Sequence, residues 1–374
     1  MNSRTLHMVC LRSPFPANTG GARDMFDRLE ALHQSGIVIH LHYFTKGDEA
    51  IPSALKQLCD KIYQYPRKLA WKRLLTGQPY IVACRADADL FARLAADNAP
   101  ILFDGVHTTA HLGRLMDANR KIVVRMHNDE SDYYLELARY ERNIFRRFYF
   151  LLESYLLRKW MRRMPAGVQL GCIQSHECET IGRKYPNTNT FLLPPSIPVQ
   201  VHAQTGKGGY CLYHGNLSIG ENERAAIWLL RRVFAQIKLP LVITGKSPSA
   251  KLEKLVHFYQ HTCLVANPTA DELIDLISKA QINVLPSKTQ TGIKMKVFDA
   301  IQYGRHCVIN QEMAANAPWT DSCRVVSNAD EMGREIEILF QLPITTKMIE
   351  DRQERLDHWR TKLDPAEALI KRLW

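Results

Sequence analysis

The chain has 374 residues, 46% of them hydrophobic, which is enough to build cores for two domains. Its net charge is +11, from 49 Lys and Arg against 38 Asp and Glu, so it is neither an acidic solvating chain nor a low-hydrophobicity disordered one. No uninterrupted apolar stretch reaches the roughly 18 residues of a membrane-spanning helix, the N-terminus enters a strand-like segment without a signal sequence, and the nine cysteines form no C-x-x-C pair, so the protein reads as reduced and cytoplasmic.

In the first half, strand-like runs at 6–11, 37–44, 101–104, 121–126 and 168–173 are separated by helix-length segments such as 22–33. That alternation predicts a parallel sheet with crossover helices, a Rossmann-like domain. Residues 139–163 hold eight basic residues against Glu141 and Glu153, interleaved with seven aromatics, and Ile144, Phe148, Leu151 and Tyr155 recur at helical spacing. One long amphipathic helix follows from this pattern. Either its apolar stripe packs on the core and leaves a solvated basic face, or the helix docks on an anionic membrane at its inner face; no nucleic-acid-binding signature accompanies it.

Around Pro194-Pro195-Ser196 and Gly206-Lys207-Gly208-Gly209 the composition changes to turn chemistry, and then the pattern restarts. Strand-like runs at 210–213, 241–244, 263–266, 282–285, 307–309 and 324–326 alternate with helical stretches such as 222–237 and 269–280. The boundaries expected are a first domain over 1–195, a linker over 196–209, a second domain over 210–344, and helices over 345–374 that cross back to the first. Two doubly wound domains facing each other across a cleft would bind ligands at the carboxyl ends of their strands.

Several loops at such ends have suitable chemistry. Gly20-Gly21 precedes a helix after the first strand, where backbone N–H groups meeting a phosphate or sugar and a plain tight turn are both open, and the G-x-G-x-x-G dinucleotide fingerprint is absent. His127 follows the buried run 121–126, where a donor to hydroxyls or a structural histidine are both open. In the second half, Gly215-Asn216-Leu217 follows one strand and Gly245-Lys246 the next, and Lys246 faces either a phosphate or solvent. Thr291-Gly292-Ile293-Lys294-Met295-Lys296 opens a helix after the run 282–285, with Asp299 behind it. A helix N-terminus with a close-approach glycine and lysines suits a diphosphate. A carboxylate roughly 8–10 Å further along the helix suits the attached ribose. Asp87-Ala88-Asp89 has the D-x-D spacing of metal-dependent sugar transfer but sits where a first helical turn is expected, and His176-Glu177-Cys178 has no second ligand cluster, so no metal is expected.

Together these motifs resemble the retaining, nucleotide-sugar-dependent glycosyltransferases of the GT-B fold, family 4, along the whole chain. The matching segments are a P-x-P-x-x-x-G-G-like loop at 14–21, His127 after a central strand, Gly215-Asn216-Leu217, Gly245-Lys246, and a T-G-I-K-x-K-V-x-E-A segment at 291–300. The chain departs from the commoner pattern at Asp299, where relatives usually have Glu, and at Thr291, where many have a first Glu. The Thr-Gly-Ile-Lys form looks like a subtype with altered donor handling.

The resemblance implies that His127 contacts the transferred sugar, with Lys294 and Asp299 in the catalytic set. It implies that Gly20, Gly21, Asn216, Lys246, Thr291, Gly292, Ile293 and Lys296 hold the donor, Asp299 taking the ribose. The partners implied are a nucleoside diphosphate sugar and a glycan or lipid-linked acceptor, with no cofactor or metal. Rival readings are a nucleotide-sugar epimerase or hydrolase on the same fold, and a non-catalytic scaffold subunit.

Overall fold

The computed structural model describes residues 4–17, 20–47, 49–68, 77–116, 120–141, 143–196, 200–288, 295–315, 320–362 and 364–374. They divide into two compact units, Met1–Ser196 with Asp364–Trp374, and Ile197–Leu363.

The first unit is built on β1 (Thr5–Cys10), β2 (Val38–Thr45), β3 (Lys61–Pro66), β4 (Ile101–Asp104), β5 (Ile122–Met126), β6 (Gln169–Cys172) and β7 (Asn189–Leu192). They form one parallel sheet in the order β3-β2-β1-β4-β5-β6-β7. Every residue of β4 and β5 is buried, because helices cover both faces of a parallel sheet, and this is why those strands read as continuous apolar runs. Successive side chains supply opposite cores: Leu6, Met8, Leu102 and Val123 pack on one face, Val9, Phe103 and Val124 on the other. Chain order reverses at β1, which lies between β2 and β4, and such a switch point leaves a crevice at the carboxyl ends.

The expected long basic helix is broken. Glu130–Tyr140 and Ile144–Arg162 are separate helices, and the Asn143 side chain caps the second by accepting from the Arg146 N–H at 3.1 Å. Its buried face is Glu153, Ser154, Leu156, Leu157 and Met161. The stripe expected as one candidate core face points instead to solvent: Ile144 is 80%, Phe148 67%, Leu151 43% and Tyr155 62% exposed.

The second unit repeats the plan with β8 (Cys211–His214), β9 (Leu241–Gly245), β10 (Thr262–Ala266), β11 (Ile282–Val284), β12 (His306–Asn310) and β13 (Arg324–Val326). Their order is β10-β9-β8-β11-β12-β13, again all parallel, with the switch at β8. Of the two C-terminal helices, only Pro365–Leu373 belongs to the first unit, where Leu369 and Leu373 join its core. Thr346–Lys362 stays with the second, because Leu356 enters that core and the buried Arg352 guanidinium donates to the carbonyls of Ile301 at 3.0 Å and Gly304 at 2.7 Å. The expectation that both helices pack back on the first domain is corrected to the last one. Among the described residues no helix is long and apolar enough to cross a membrane.

Candidate functional site

At the carboxyl end of the first sheet a buried ionic cluster supports His127. Asp24 and Arg28 lie one turn apart on the Gly20–Gln34 helix, Asp104 ends β4, and Arg125 sits within β5. Arg28 donates to Asp24 at 2.7 Å and to Asp104 at 2.9 Å, and Arg125 lies 3.3 Å from Asp24. Arg125 also donates to the Leu193 carbonyl. Burial opposes ionisation of both carboxylates, yet Arg125 and Arg28 hold Asp24, and His127 and Arg28 hold Asp104, below the usual carboxylate range. Two carboxylates thus balance two guanidinia in the dry interior. His127 lies at its open edge, 17% exposed in its side chain, with Nε2 3.1 Å from Asp104 Oδ2 and Nδ1 4.0 Å from Asp24 Oδ2. Glu130, one turn beyond, is pushed up to about 7 by burial, with Asp129 adding to the shift and His127 opposing it.

Gly20 and Gly21 are the first residues of the Gly20–Gln34 helix, and a Cβ at Gly21 would stand 3.6 Å from an Arg12 guanidinium nitrogen. The helix therefore starts at the same strand end as His127, where the positive end of its dipole favours an anion.

In the second unit the strand-end loops meet closely. A Cβ on Gly245 would lie 1.8 Å from the Gly215 carbonyl oxygen, so the loops after β8 and β9 can touch only because 245 is glycine. Asn216 is engaged in shaping its own loop: its Oδ1 accepts from the Ser218 N–H at 3.1 Å and hydroxyl at 2.6 Å, and its carbonyl accepts from Asn222 at 3.0 Å. Lys246 is exposed just beyond β9. Lys296 begins the Lys296–Tyr303 helix with its ammonium 3.2 Å from Asn222 Oδ1 and 4.9 Å over the Tyr213 ring. Asp299, partly buried, lies in the first turn of that helix. Thr291, Gly292, Ile293 and Lys294 lie outside the described residues. The fold thus brings Asn216, Lys246, Lys296 and Asp299 to the carboxyl end of the second sheet, and Gly20, Gly21 and His127 to that of the first.

Sequence reasoning missed Asp24, Arg28, Asp104, Arg125 and Glu130, and also the bond from Ser287 to Glu221 at 2.8 Å that ties the loop after β11 to the helix after β8. A cavity of about 330 Å³ opens beside that loop, lined by Trp228, Ser287, Lys288, Asn310, Glu312 and Asn328 among others.

Asp87 caps the Ala88–Leu94 helix by accepting from the N–H groups of Asp89 and Leu90, and pairs with Lys68 at 2.6 Å. Among the described residues, His7, His40 and Asp97 are a set whose ligand atoms lie within 4.8 Å of one another, at the amino end of the first sheet. Hydrogen bonds already engage it: Tyr65 donates to His42 Nδ1 at 2.8 Å, His42 to His7 Nδ1 at 2.9 Å, and His7 Nε2 to Asp97 at 3.1 Å. Burial pushes His42 down to about 2, in keeping with a neutral relay that stiffens the sheet.

Residues 208–341 match the family described as Glycosyl transferases group 1. The match runs from just before β8 to the end of the Ala329–Gln341 helix and so spans the sheet of the second unit. An uncharacterized 44.6 kDa protein in the cps region of Klebsiella pneumoniae is 26% identical over 317 residues, covering 79% of this chain and 80% of its own. Among solved structures, TarM superposes with a TM-score of 0.71 at 10% identity over 99% of this chain and 98% of its own. Sucrose-phosphate synthase from Thermosynechococcus elongatus superposes with a TM-score of 0.68 at 14% identity over 98% of each chain. These likenesses show the fold: two Rossmann-like parallel-sheet domains of the GT-B type.

Proposed function

We propose that this protein is a retaining glycosyltransferase that moves a sugar from a nucleoside diphosphate sugar to a glycan or lipid-linked acceptor, in surface polysaccharide or glycoconjugate biosynthesis, without a metal ion. The observation that carries this reading is the group 1 match over 208–341, which contains every second-unit loop that the sequence motifs single out. The relative from a cps region supports a polysaccharide product.

Cleaving the anomeric bond develops positive charge on the sugar ring and negative charge on the departing diphosphate. In this reading the N–H groups at Gly20, Gly21, Gly292 and Ile293, with Lys246, Lys294 and Lys296, meet the diphosphate, Asp299 takes the ribose, and Thr291 and Asn216 shape the donor loops. His127 contacts the transferred sugar. Asp104 acts on the imidazole, since its carboxylate lies 3.1 Å from Nε2 and is itself anchored by Arg28.

The first unit also presents Ile144, Phe145, Phe148 and Tyr155 to solvent beside Arg146 and Arg147, all exposed. An apolar stripe flanked by arginines is complementary to an anionic bilayer surface and supports peripheral docking where a lipid-linked acceptor resides.

Calorimetry of the full chain with UDP, GDP, ADP and dTDP in EDTA tests the donor assignment. One of them should bind, and Asp299→Ala should weaken it about tenfold, the scale of one charge-assisted hydrogen bond. An unchanged dissociation constant rejects the ribose role, and no binding at all favours the scaffold reading.

A further inference from the structure

Beside the neutral Asp24–Arg28–Asp104–Arg125 cluster, the same edge of the first sheet gathers arginines that lack a carboxylate. Arg12 follows β1 and Arg67 follows β3, while His107, which follows β4, is held neutral by burial and by the Arg85 charge beside it. Arg85 lies just past the Tyr80–Ala83 helix, is only 5% exposed, and donates to the Leu11 carbonyl at 3.2 Å and the Ile81 carbonyl at 2.7 Å. Among the described residues no carboxylate pairs with Arg12, Arg67 or Arg85; Arg85 donates to two carbonyls and the Cys84 thiol, and Arg67 to Cys84.

The neighbouring acids are already engaged: Asp87 by Lys68 at 2.6 Å, Asp104 by Arg28 and His127 at 2.9 and 3.1 Å, and Glu153 by the Tyr80 and Ile81 N–H groups at 2.9 and 2.8 Å. His107 Nδ1 is buried with no hydrogen-bond partner, 3.2 Å from where a Cβ of Gly105 would stand. That point also lies 3.5 Å from the His127 ring and 3.7 Å from the Leu11 side chain, so His107 and His127 converge on one spot, next to the residue whose carbonyl Arg85 holds.

Crowded like charges with a desolvated member are costly unless an anion joins them. Burial pushes Arg85 down to about 10, with Arg67 and Arg12 adding to the shift against the opposing Cys84 and Tyr134. Arg352 shows the contrasting case of a buried guanidinium spent on carbonyls, at 3.0 and 2.7 Å, inside a packed core rather than at a strand-end edge.

We infer that Arg12, Arg67 and Arg85, with His107 behind them, bind a phosphate-type anion carried by the acceptor, beside the His127 imidazole. A phosphate offers oxygens that accept from several guanidinia at once, which a neutral sugar hydroxyl does not. This rests on the transferase reading for the word acceptor, while the anion site itself does not. The group lies outside 208–341, which carries the donor motifs other than Gly20 and Gly21, and this favours the acceptor over the donor as the source of the phosphate.

The test is calorimetric titration of the full chain with inorganic pyrophosphate after saturation with whichever nucleoside diphosphate binds, or without one if none does. Pyrophosphate should bind, and Arg67→Ala and Arg12→Ala, both at exposed positions, should each weaken it tenfold or more while leaving nucleoside diphosphate affinity within twofold. Arg67→Lys should recover part of the loss, separating charge from fold. No pyrophosphate binding, or binding indifferent to both alanine variants, overturns the site. Equal loss of nucleoside diphosphate affinity overturns the acceptor assignment and gives the arginines to the donor. Pyrophosphate binding without any nucleoside diphosphate binding keeps the anion site and sinks the transferase reading instead.

Discussion

Replacing Asp104 by Asn probes the cluster that supports His127. In the native protein Asp24 and Asp104 balance Arg28 and Arg125, and all four side chains are nearly or wholly inaccessible. Asp104→Asn leaves two buried guanidinia sharing one carboxylate. Breaking a buried pair in this way costs about 3–5 kcal/mol, and the retained amide oxygen, which can still accept from Arg28, puts the expectation near the lower end. The loss should be local, so hydrogen exchange of peptides covering β4 and β5 should accelerate by roughly 10²–10³-fold, with β8–β13 unchanged. High salt should alter this little, because screening acts weakly on buried charge. Adding Arg28→Met removes the orphaned charge, and the double variant should recover at least about 2 kcal/mol relative to the sum of the single losses. A loss under about 1 kcal/mol, or strict additivity, would refute the claim that these charges form one coupled unit.

Glu130, buried with a carboxyl raised from 4.5 to about 7, contributes stability below the unfolded value that is lost as pH rises through 7. The stability of Glu130→Gln relative to wild type should therefore rise by roughly 2–3 kcal/mol between pH 5 and pH 8, and a pH-independent difference would contradict the burial argument. Gly245→Ala forces a methyl group to 1.8 Å from the Gly215 carbonyl, so the second unit should lose about 2–3 kcal/mol in denaturant unfolding; a loss under about 0.5 kcal/mol would show that the two loops part easily. Charge reversal at Arg146 and Arg147, or Phe145→Ser with Phe148→Ser, should reduce cosedimentation with vesicles containing phosphatidylglycerol, whereas equal sedimentation would remove the membrane from the account.

The buried parallel strands were legible because burial on both faces makes them continuous apolar runs. The edge strands β3 and β7 were not, since Lys61, Gln64 and Asn189 dilute the pattern where one side meets solvent. The separation of the helix ending at Tyr140 from the one beginning at Ile144 was hidden by helix-compatible residues, although Asn143 is a capping type. The stripe in the following helix had correct helical spacing, but periodicity gives a face without saying what it faces. At the candidate site, the loops could be named from their residues, yet the cluster beneath His127 could not, because its members come from three separate elements. Arg125 amid Val123, Val124 and Met126 was the available signal: a charge inside an apolar run requires a buried partner.

The central claim is sugar transfer from a nucleoside diphosphate sugar. Its most direct measurement incubates the full chain, in EDTA, with radiolabelled nucleoside diphosphate sugars and a membrane lipid extract from a capsule-forming bacterium, following both nucleoside diphosphate release and label in the lipid or glycan fraction. The account predicts that one donor is consumed with equal amounts of nucleoside diphosphate and transferred sugar, that the anomeric configuration is kept, and that Asp299→Ala abolishes most of both. Release of free sugar without transfer would point to the hydrolase, and no turnover together with no nucleoside diphosphate binding would contradict the account.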